Sequence, residues 1–425
     1  MSTTRRSFLK DCAAAGVVGA LGWEGCVSSS EEGGVYPGWK PGELDLHFVY
    51  TGCGENMFYM LPDGTSIQND TGDFYRPEDL KDVPLLPSAN RLGGEWMSRY
   101  VRRIHPGRKI DYALFSHWHS DHIGHAEFGR AETPKASYRF RTTKDGRKLN
   151  GFLSVAEDFS FERYMDHQYP ARGTYGTQDS SMKLLGSWVD AQVAKGLRAE
   201  AFRPGALDQV ALLHDPGKYR GTFSVRNICA NGVLWDGRDG VVDYAAEHQA
   251  VVGPGKRIQQ NMLSMAFVIQ YGKFRYFAGG DVQSDGFRRR DGTRFDYERR
   301  VGELVGPVSL CKMNHHGCAN AMNEGFLEAV RAQAYTACMW CPRQAHPQVL
   351  GRLPMAADGS RPLIVPNLVC AFHQENSAKN GYRLERLGAA HVVVKVFPGG
   401  NDYRIYLLDA ADESMRVLAT FDRRA

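Results

Sequence analysis

The stretch His117-Trp118-His119-Ser120-Asp121-His122 sets the main limit on what this chain can fold into. Just before it, Lys109 to Ser116 is mostly apolar and bounded by polar residues, the pattern of a buried strand. Imidazoles at i and i+2 beyond a strand can turn toward one metal ion. Asp121 and His122 follow a turn later and face a second position beside the first. Imidazole and carboxylate suit zinc, and also manganese or iron. A fold that uses this stretch must therefore present a strand end to a metal cavity.

Other strands end in the same way. Thr65 to Gln68 runs into Asn69-Asp70-Thr71-Gly72-Asp73. Met265 to Gln270 and Lys273 to Ala278 read as a hairpin whose second strand enters Gly279-Gly280-Asp281. Pro307 to Met313 leads into Asn314-His315-His316-Gly317. Ligand-type residues gathered on one sheet edge are the usual construction of a mixed α/β enzyme. Leu44 to Thr51 and Asn56 to Leu61 read as further strands, as do Val392 to Phe397, Tyr403 to Leu408 and Met415 to Phe421. Asn90 to Ile104, Ser181 to Leu197 and Asn323 to Ala332 read as helices. Residues 126–260 show a less regular pattern and read as a long elaboration beside the site, within the same domain.

The N-terminus reads as an address. Thr4-Arg5-Arg6-Ser7-Phe8-Leu9-Lys10 followed by the apolar stretch Ala13 to Leu21 resembles a twin-arginine export signal, which implies a bacterial protein that folds before translocation. Residues 1–26 are the expected signal and 27–42 a flexible polar linker, leaving 43–425 as the folded domain. Cys26 stands where a lipoprotein carries its lipidated cysteine, although Glu24 is a poor fit for such a site. Periplasm or cell envelope is the expected location, with Cys26 the only expected link to a membrane. No other apolar run approaches the ~20 residues of a membrane span.

Seven of the nine cysteines lie beyond the signal, so a complete set of pairs within one chain is excluded. Cys338-Met339-Trp340-Cys341 has redox or metal spacing, but without a second such pair it reads as buried thiols or a simple disulfide. The net charge of +4 on 425 residues gives no reason to expect a nucleic-acid coat. One segment is locally basic and aromatic: Phe287-Arg288-Arg289-Arg290 through Arg294, Phe295, Tyr297, Arg299 and Arg300, diluted by Asp291, Asp296 and Glu298.

Taken together, these motifs resemble the metallo-β-lactamase superfamily over roughly residues 43–425. The carriers are His-x-His-x-Asp-His, Asp70 in its Asp-Thr-Gly turn, Asp281 in Gly-Gly-Asp, and His-His-Gly, in that order. Within the superfamily the likeness is to the hydrolase domain of competence (DNA-uptake) channel proteins, through Tyr50-Thr51-Gly52-Cys53-Gly54-Glu55-Asn56 and Lys312-Met313-Asn314-His315-His316-Gly317. Choline-binding phosphorylcholine esterases are a second resembling branch. The resemblance implies an α/β fold, a four-layer αβ/βα sandwich of two mixed sheets with helices outside.

It also implies a ligand set. His117 and His119 would hold one ion, Asp121, His122 and His316 the other, and Asp281 would bridge them. Asp70 would orient the ligands. Asp121 and His315 are the candidate catalytic groups, with His315 contacting a substrate phosphate or protonating the leaving oxygen. Two divalent ions, zinc or manganese, would lower the pKa of bound water to about 7 and let it attack an electrophilic centre. Two departures stand out. Where the family supplies another His to the first ion, Asn261 is the nearest residue. The two Ser hydroxyls that follow His-His-Gly in competence proteins are replaced in Cys318-Ala319-Asn320-Ala321. A phosphodiester, nucleic acid included, is the expected substrate. Another ester, a lactone or an amide such as a β-lactam is the alternative, as is a non-catalytic metal-site protein.

Overall fold

The computed structural model describes residues 33–125, 139–142, 148–175 and 180–425. Arg5, Arg6, Cys26 and the linker up to residue 32 lie outside the described residues.

Two sheets form the body. In the first, the strands stand in the order Val417–Arg424, Asp402–Asp409, Gly388–Val396, Leu44–Phe48, Asn56–Met60, Ser66–Thr71, Lys109–Phe115, Ser160–Asp166, Arg198–Ala201. The neighbours up to Ser66–Thr71 pair antiparallel, and from there onward the pairing is parallel. The second sheet runs Val241–Asp243, Val233–Trp235, Phe223–Ala230, Ala266–Tyr271, Phe274–Ala278, Leu310–Lys312, Ala334–Thr336, Leu363–Ile364. It too is antiparallel until Phe274–Ala278 and parallel beyond it.

Burial explains why the sheets stack. Leu46, Phe48, Tyr59, Ile67, Tyr112 and Leu114 of the first share one buried cluster with Phe267, Ile269, Phe274, Tyr276 and Leu310 of the second. Strands apolar on both faces need a second cover. Helix Gly93–Ile104 supplies it on the first sheet, setting Met97, Tyr100 and Val101 against Phe58, Ile110 and Val393. Its first turn is closed by Glu95, whose carboxylate accepts the Leu92 N–H at 2.9 Å. Helices Tyr297–Val305 and Glu324–Val330 cover the second sheet through Val301, Val305, Phe326 and Leu327. The layers are helix, sheet, sheet, helix: the αβ/βα sandwich that the resemblance implies.

Two expectations change. Residues 126–260 are not mainly an elaboration: Ser160–Asp166 and Arg198–Ala201 extend the parallel half of the first sheet, and Phe223–Ala230 belongs to the second. Their irregular pattern arises because Ser160–Asp166 and Arg198–Ala201 are half-exposed along much of their length and carry arginines and glutamates among the apolar residues. Residues 33–42 are docked, not a free linker. Val35 bridges to Arg416, and buried Tyr36 packs edge-on to Tyr406 at 5.2 Å. Trp96, on helix Gly93–Ile104, is half-buried with Arg99 over its ring at 5.8 Å.

Candidate metal centre

Both parallel halves deliver their strand ends to one cavity. Asp70, at the end of Ser66–Thr71, accepts the Ser116 N–H on Oδ1 (2.8 Å) and the Ser116 hydroxyl on Oδ2 (2.7 Å). The same Oδ2 lies 3.0 Å from His122 Nδ1. Asp70 therefore ties two neighbouring strand ends together and fixes one imidazole. Gly72 lets the turn close: a Cβ there would sit 2.0 Å from the Asp121 carbonyl oxygen. From the other sheet, Gly279-Gly280 swings Asp281 into the cavity, where its N–H donates to Ser264 Oγ at 3.1 Å.

The ligand-type atoms meet around one oxygen. Asp281 Oδ2 lies 3.7 Å from His117 Nε2, 3.3 Å from His122 Nε2, 3.6 Å from His316 Nε2 and 3.8 Å from His315 Nε2. His119 Nδ1 is 3.0 Å from His117 Nε2. Asp121 Oδ2 is 3.2 Å from His316 Nε2 and 3.8 Å from His122 Nε2. Two atoms each about 2.1 Å from one ion at a tetrahedral angle stand about 3.4 Å apart. The observed separations bracket that value, so the residues fit two ions sharing Asp281: His117, His119 and Asp281 for one, and Asp121, His122, His316 and Asp281 for the other. Both Asp281 oxygens and His122 Nε2 are buried without a hydrogen-bond partner. Each such orphan costs about 1–3 kcal/mol unless a cation takes it.

Glu55 belongs to this cluster and sequence reasoning gave it no role. Its carboxylate packs with His122, Asp281 and His316 and is fully buried. It faces the Nδ1 sides of the rings, 3.3 Å from His316 and 3.9 Å from His122, whereas Asp281 and Asp121 face Nε2. Its geometry is that of a carboxylate backing a metal-binding imidazole, not of a ligand. His316 Nδ1 is also 2.7 Å from the Cys338 carbonyl, a hydrogen bond that directs Nε2 into the cavity. Lys312 balances Glu55: its Nζ lies 3.0 Å from Glu55 Oε2 and donates to the Gly280 carbonyl at 3.0 Å. The signal was present in Gly54-Glu55 and in the Lys of Lys-x-x-His-His-Gly, but no local pattern joins them.

The two halves of the site differ electrostatically. Burial, helped by His122, holds His117 well below the usual histidine range, and burial also lowers His119. Burial works against charge on His316 too, but Asp281, Asp121 and Glu55 outweigh it and push it up to about 9. His122 is raised likewise, against burial, by Asp281 and Asp121. These two imidazoles carry protons at neutral pH when no ion is held, and an ion must displace them. Affinity at the Asp121–His122–His316 centre is therefore expected to rise with pH through about 9, where His316 loses its proton, by about tenfold per unit for each proton released. Affinity at the His117–His119 centre is expected to stay flat over the same range. Zinc titrations in buffers of different ionisation enthalpy, from pH 6 to 10, measure both. A raised His316 also stabilises the ion-free fold below the unfolded value of 6.5, a contribution lost as pH rises through about 9.

Around the cavity, Arg76 lies over the Trp340 ring at 5.2 Å, and Trp340 is 6.2 Å from His316. Neither was expected at the site. Asn261 donates toward His315 Nε2 at 3.2 Å, while its own Oδ1 is buried without a partner. The seven described cysteines are all free thiols, so Cys338 and Cys341 form no disulfide. The basic segment is no stacking platform: Phe287, Phe295 and Tyr297 are buried, with Tyr244 stacked on Phe295 at 4.1 Å. Arg288, Arg289, Arg290, Arg294 and Arg299 face outward together with Asp291 and Asp296, and Arg299 and Arg300 pair with Glu303. Among the described residues no helix is long and apolar enough to cross a membrane.

No family model and no curated protein matches the chain. Solved structures do. A Parabacteroides distasonis protein named as a metal-dependent hydrolase is 10% identical, with 76% of this chain and 92% of that one covered at a TM-score of 0.33. Zn2+-bound PqqB from Methylobacterium extorquens is 8% identical, with 81% and 98% covered at 0.37. CmlA, a diiron β-hydroxylase from Streptomyces venezuelae, is 13% identical, with 84% and 55% covered at 0.36. At these TM-scores the likenesses carry no argument, and the fold stands on the strand order and layers described above.

Proposed function

We propose that this chain is an exported hydrolase of the metallo-β-lactamase superfamily that holds two divalent ions, zinc or manganese, and cleaves a phosphodiester. The carrying observation is Asp281 Oδ2, a buried carboxylate oxygen with four imidazole nitrogens within 3.8 Å. When bound, two such ions polarise a phosphoryl or carbonyl oxygen and acidify water near neutral pH. The chain's own contribution is placement. Asp70, Ser116 and Glu55 hold the imidazoles in one orientation, so little reorganisation is left for the reaction. Asp121, kept ionised against burial by His122 and His316, is suited to hold a cation and to accept a hydrogen bond from water in the cavity. Arg76, spread on Trp340 beside His316, offers a guanidinium to an anionic substrate group.

A second reading, hydrolysis of a carboxylic ester, lactone or amide, draws on Cys318 and Ala321 standing where competence proteins carry hydroxyls, and on the buried aromatics of the basic segment. The test is a panel of activated phosphodiester, phosphomonoester, lactone and β-lactam substrates with added zinc or manganese. Phosphodiester turnover that falls at least tenfold in Arg76→Ala is expected. Turnover of the lactone or β-lactam alone moves the assignment to the second reading, and none at all with two ions bound makes this a non-catalytic metal protein.

Export rests on Arg5 and Arg6, with retention in the periplasm or, through a lipid on Cys26, at the envelope. Changing both arginines to Lys is expected to leave the protein in the cytoplasm, read by fractionation. Normal export of that variant refutes the twin-arginine route.

A further inference from the structure

The loop that carries His315 and His316 starts at Asn314, beyond strand Leu310–Lys312, and ends at Asn323, which caps helix Glu324–Val330. Its backbone is unusual. His315, His316 and Met322 have φ of +47°, +53° and +57°, and Gly317 lies at +74°. Left-handed conformation is rare away from Gly and persists only where the surroundings enforce it. Here it curls the strand end so that both Nε2 atoms approach Asp281 Oδ2, at 3.8 Å for His315 and 3.6 Å for His316.

A carboxylate outside both donor groups holds the two ends of this loop. Glu298, the second residue of helix Tyr297–Val305, is fully buried. Its Oε1 accepts the Asn314 carboxamide N–H at 2.8 Å and the Met322 N–H at 2.6 Å. Its Oε2 accepts the Asn323 N–H at 3.1 Å and the Ser284 hydroxyl at 2.8 Å. Ser284 follows Asp281 on its own loop, so one side chain joins the loop of the shared carboxylate to the loop of the histidines. Gly279 gives the Asn314 carboxamide its room, since a Cβ there would sit 2.0 Å from Asn314 Oδ1. A second link runs beside it: Asn320 donates to Gln283 Oε1 at 3.1 Å, and its Oδ1 lies 2.9 Å from His315 Nδ1.

We propose that Glu298 is a positioning residue of the Asp121–His122–His316 centre, fixing the left-handed loop so that His316 meets Asp281 and Asp121 before any ion arrives. This rests on the two-ion reading of the site above. The chemistry of the four partners supports it. All of them donate, and an ionised carboxylate accepts on every side. A carboxamide of the same shape must turn its NH2 toward at least one backbone N–H. Burial raises the Glu298 carboxyl, and the same four hydrogen bonds oppose that rise. His117 and His119 stand on the other sheet, beyond the reach of this carboxylate's ties, so their centre should not depend on it.

The experiment reads ion affinity and geometry apart from activity. Full-length wild type, Glu298→Gln, Asn314→Ala and His316→Ala, checked for folding by circular dichroism, are titrated with cobalt(II) and with zinc. Loss of one step in His316→Ala identifies the ion of that centre in the wild-type titration. Glu298→Gln is expected to weaken that step by about 10–100-fold, the usual loss when a group that orients metal ligands is removed, and to change the visible cobalt bands that grow with it. The His117–His119 step is expected to keep its wild-type affinity. Asn314→Ala, which frees one end of the loop and leaves Glu298 three donors, is expected to act in the same direction, and it decides alone if Glu298→Gln does not fold. A carboxylate that serves the fold only would lower the urea midpoint while leaving both affinities and the cobalt bands as in wild type. That result in either folded variant overturns the proposal and leaves the two-ion reading intact, as does equal weakening of both steps. A wild-type protein that binds no ion overturns both.

Discussion

Asp281→Asn is expected to lose both ions together and to lower turnover by on the order of 10³-fold, the upper end for losing one group that stabilises developing charge. The reason is geometric. Asp281 Oδ2 is within reach of imidazoles on both sides of the cavity, His117 and His315 on one, His122 and His316 on the other. Neutralising it removes the shared charge from each centre, while the amide keeps nearly the same volume, so packing against Ser264 and Gly280 should survive. Changing His119 instead should release the ion of its own centre first, because His119 contacts His117 and none of Asp121, His122 or His316 at hydrogen-bond range. Metal content by plasma mass spectrometry after gel filtration, set beside turnover, separates the two behaviours. If Asp281→Asn retains one ion at wild-type affinity, the shared-vertex reading fails.

Lys312→Met is expected to destabilise the metal-loaded protein by about 3–5 kcal/mol, the usual cost of stranding one member of a buried ion pair. Lys312 and Glu55 are both fully buried, and the Lys312 ammonium also donates to the Gly280 and Met313 carbonyls. Glu55 holds its carboxyl below the ordinary glutamate range against burial mainly through Lys312. Without that partner it faces only neutral, ion-bound imidazoles. Glu55→Gln added to Lys312→Met should recover more than half of the loss, because a neutral pair replaces a stranded charge. Urea midpoints at one fixed zinc concentration give the comparison. Equal stability of the single and double variants would mean that the pair contributes through packing alone.

The competition between local pattern and tertiary contact shows which features a sequence can disclose. Strand ends were legible because their signals are contiguous: an apolar run followed at once by His117, His119, Asp121 and His122, by Asp281, or by His316. Asp70 was legible as a carboxylate in a Gly turn, and the structure places its carboxylate against His122 Nδ1 and the Ser116 N–H. The two-sheet sandwich was an expectation carried by the resemblance of those motifs to a known family, and the strand order bears it out. Strands Ser160–Asp166 and Arg198–Ala201 were not legible, because their half-exposed faces mix Glu and Arg with apolar residues and blur the period of two.

By itself, the sequence determined the chemistry: which donor atoms the chain owns, and that strands deliver them to one edge. The tertiary structure decided which atoms share a cavity and which side of each ring faces in. Glu55 and Lys312 pair across the two sheets, so nothing local to either residue announces the contact. Phe287, Phe295 and Tyr297 look available for stacking in the sequence, and packing under Tyr244 removes them from the surface. His315 and His316 are the sharpest instance. The resemblance assigns His316 to a metal and His315 to the substrate, and chain geometry predicts that the two side chains diverge. Only the left-handed turn, in which the His315 N–H donates to the Gly280 carbonyl at 3.1 Å and the Ala345 N–H to the His316 carbonyl at 2.7 Å, brings both to Asp281.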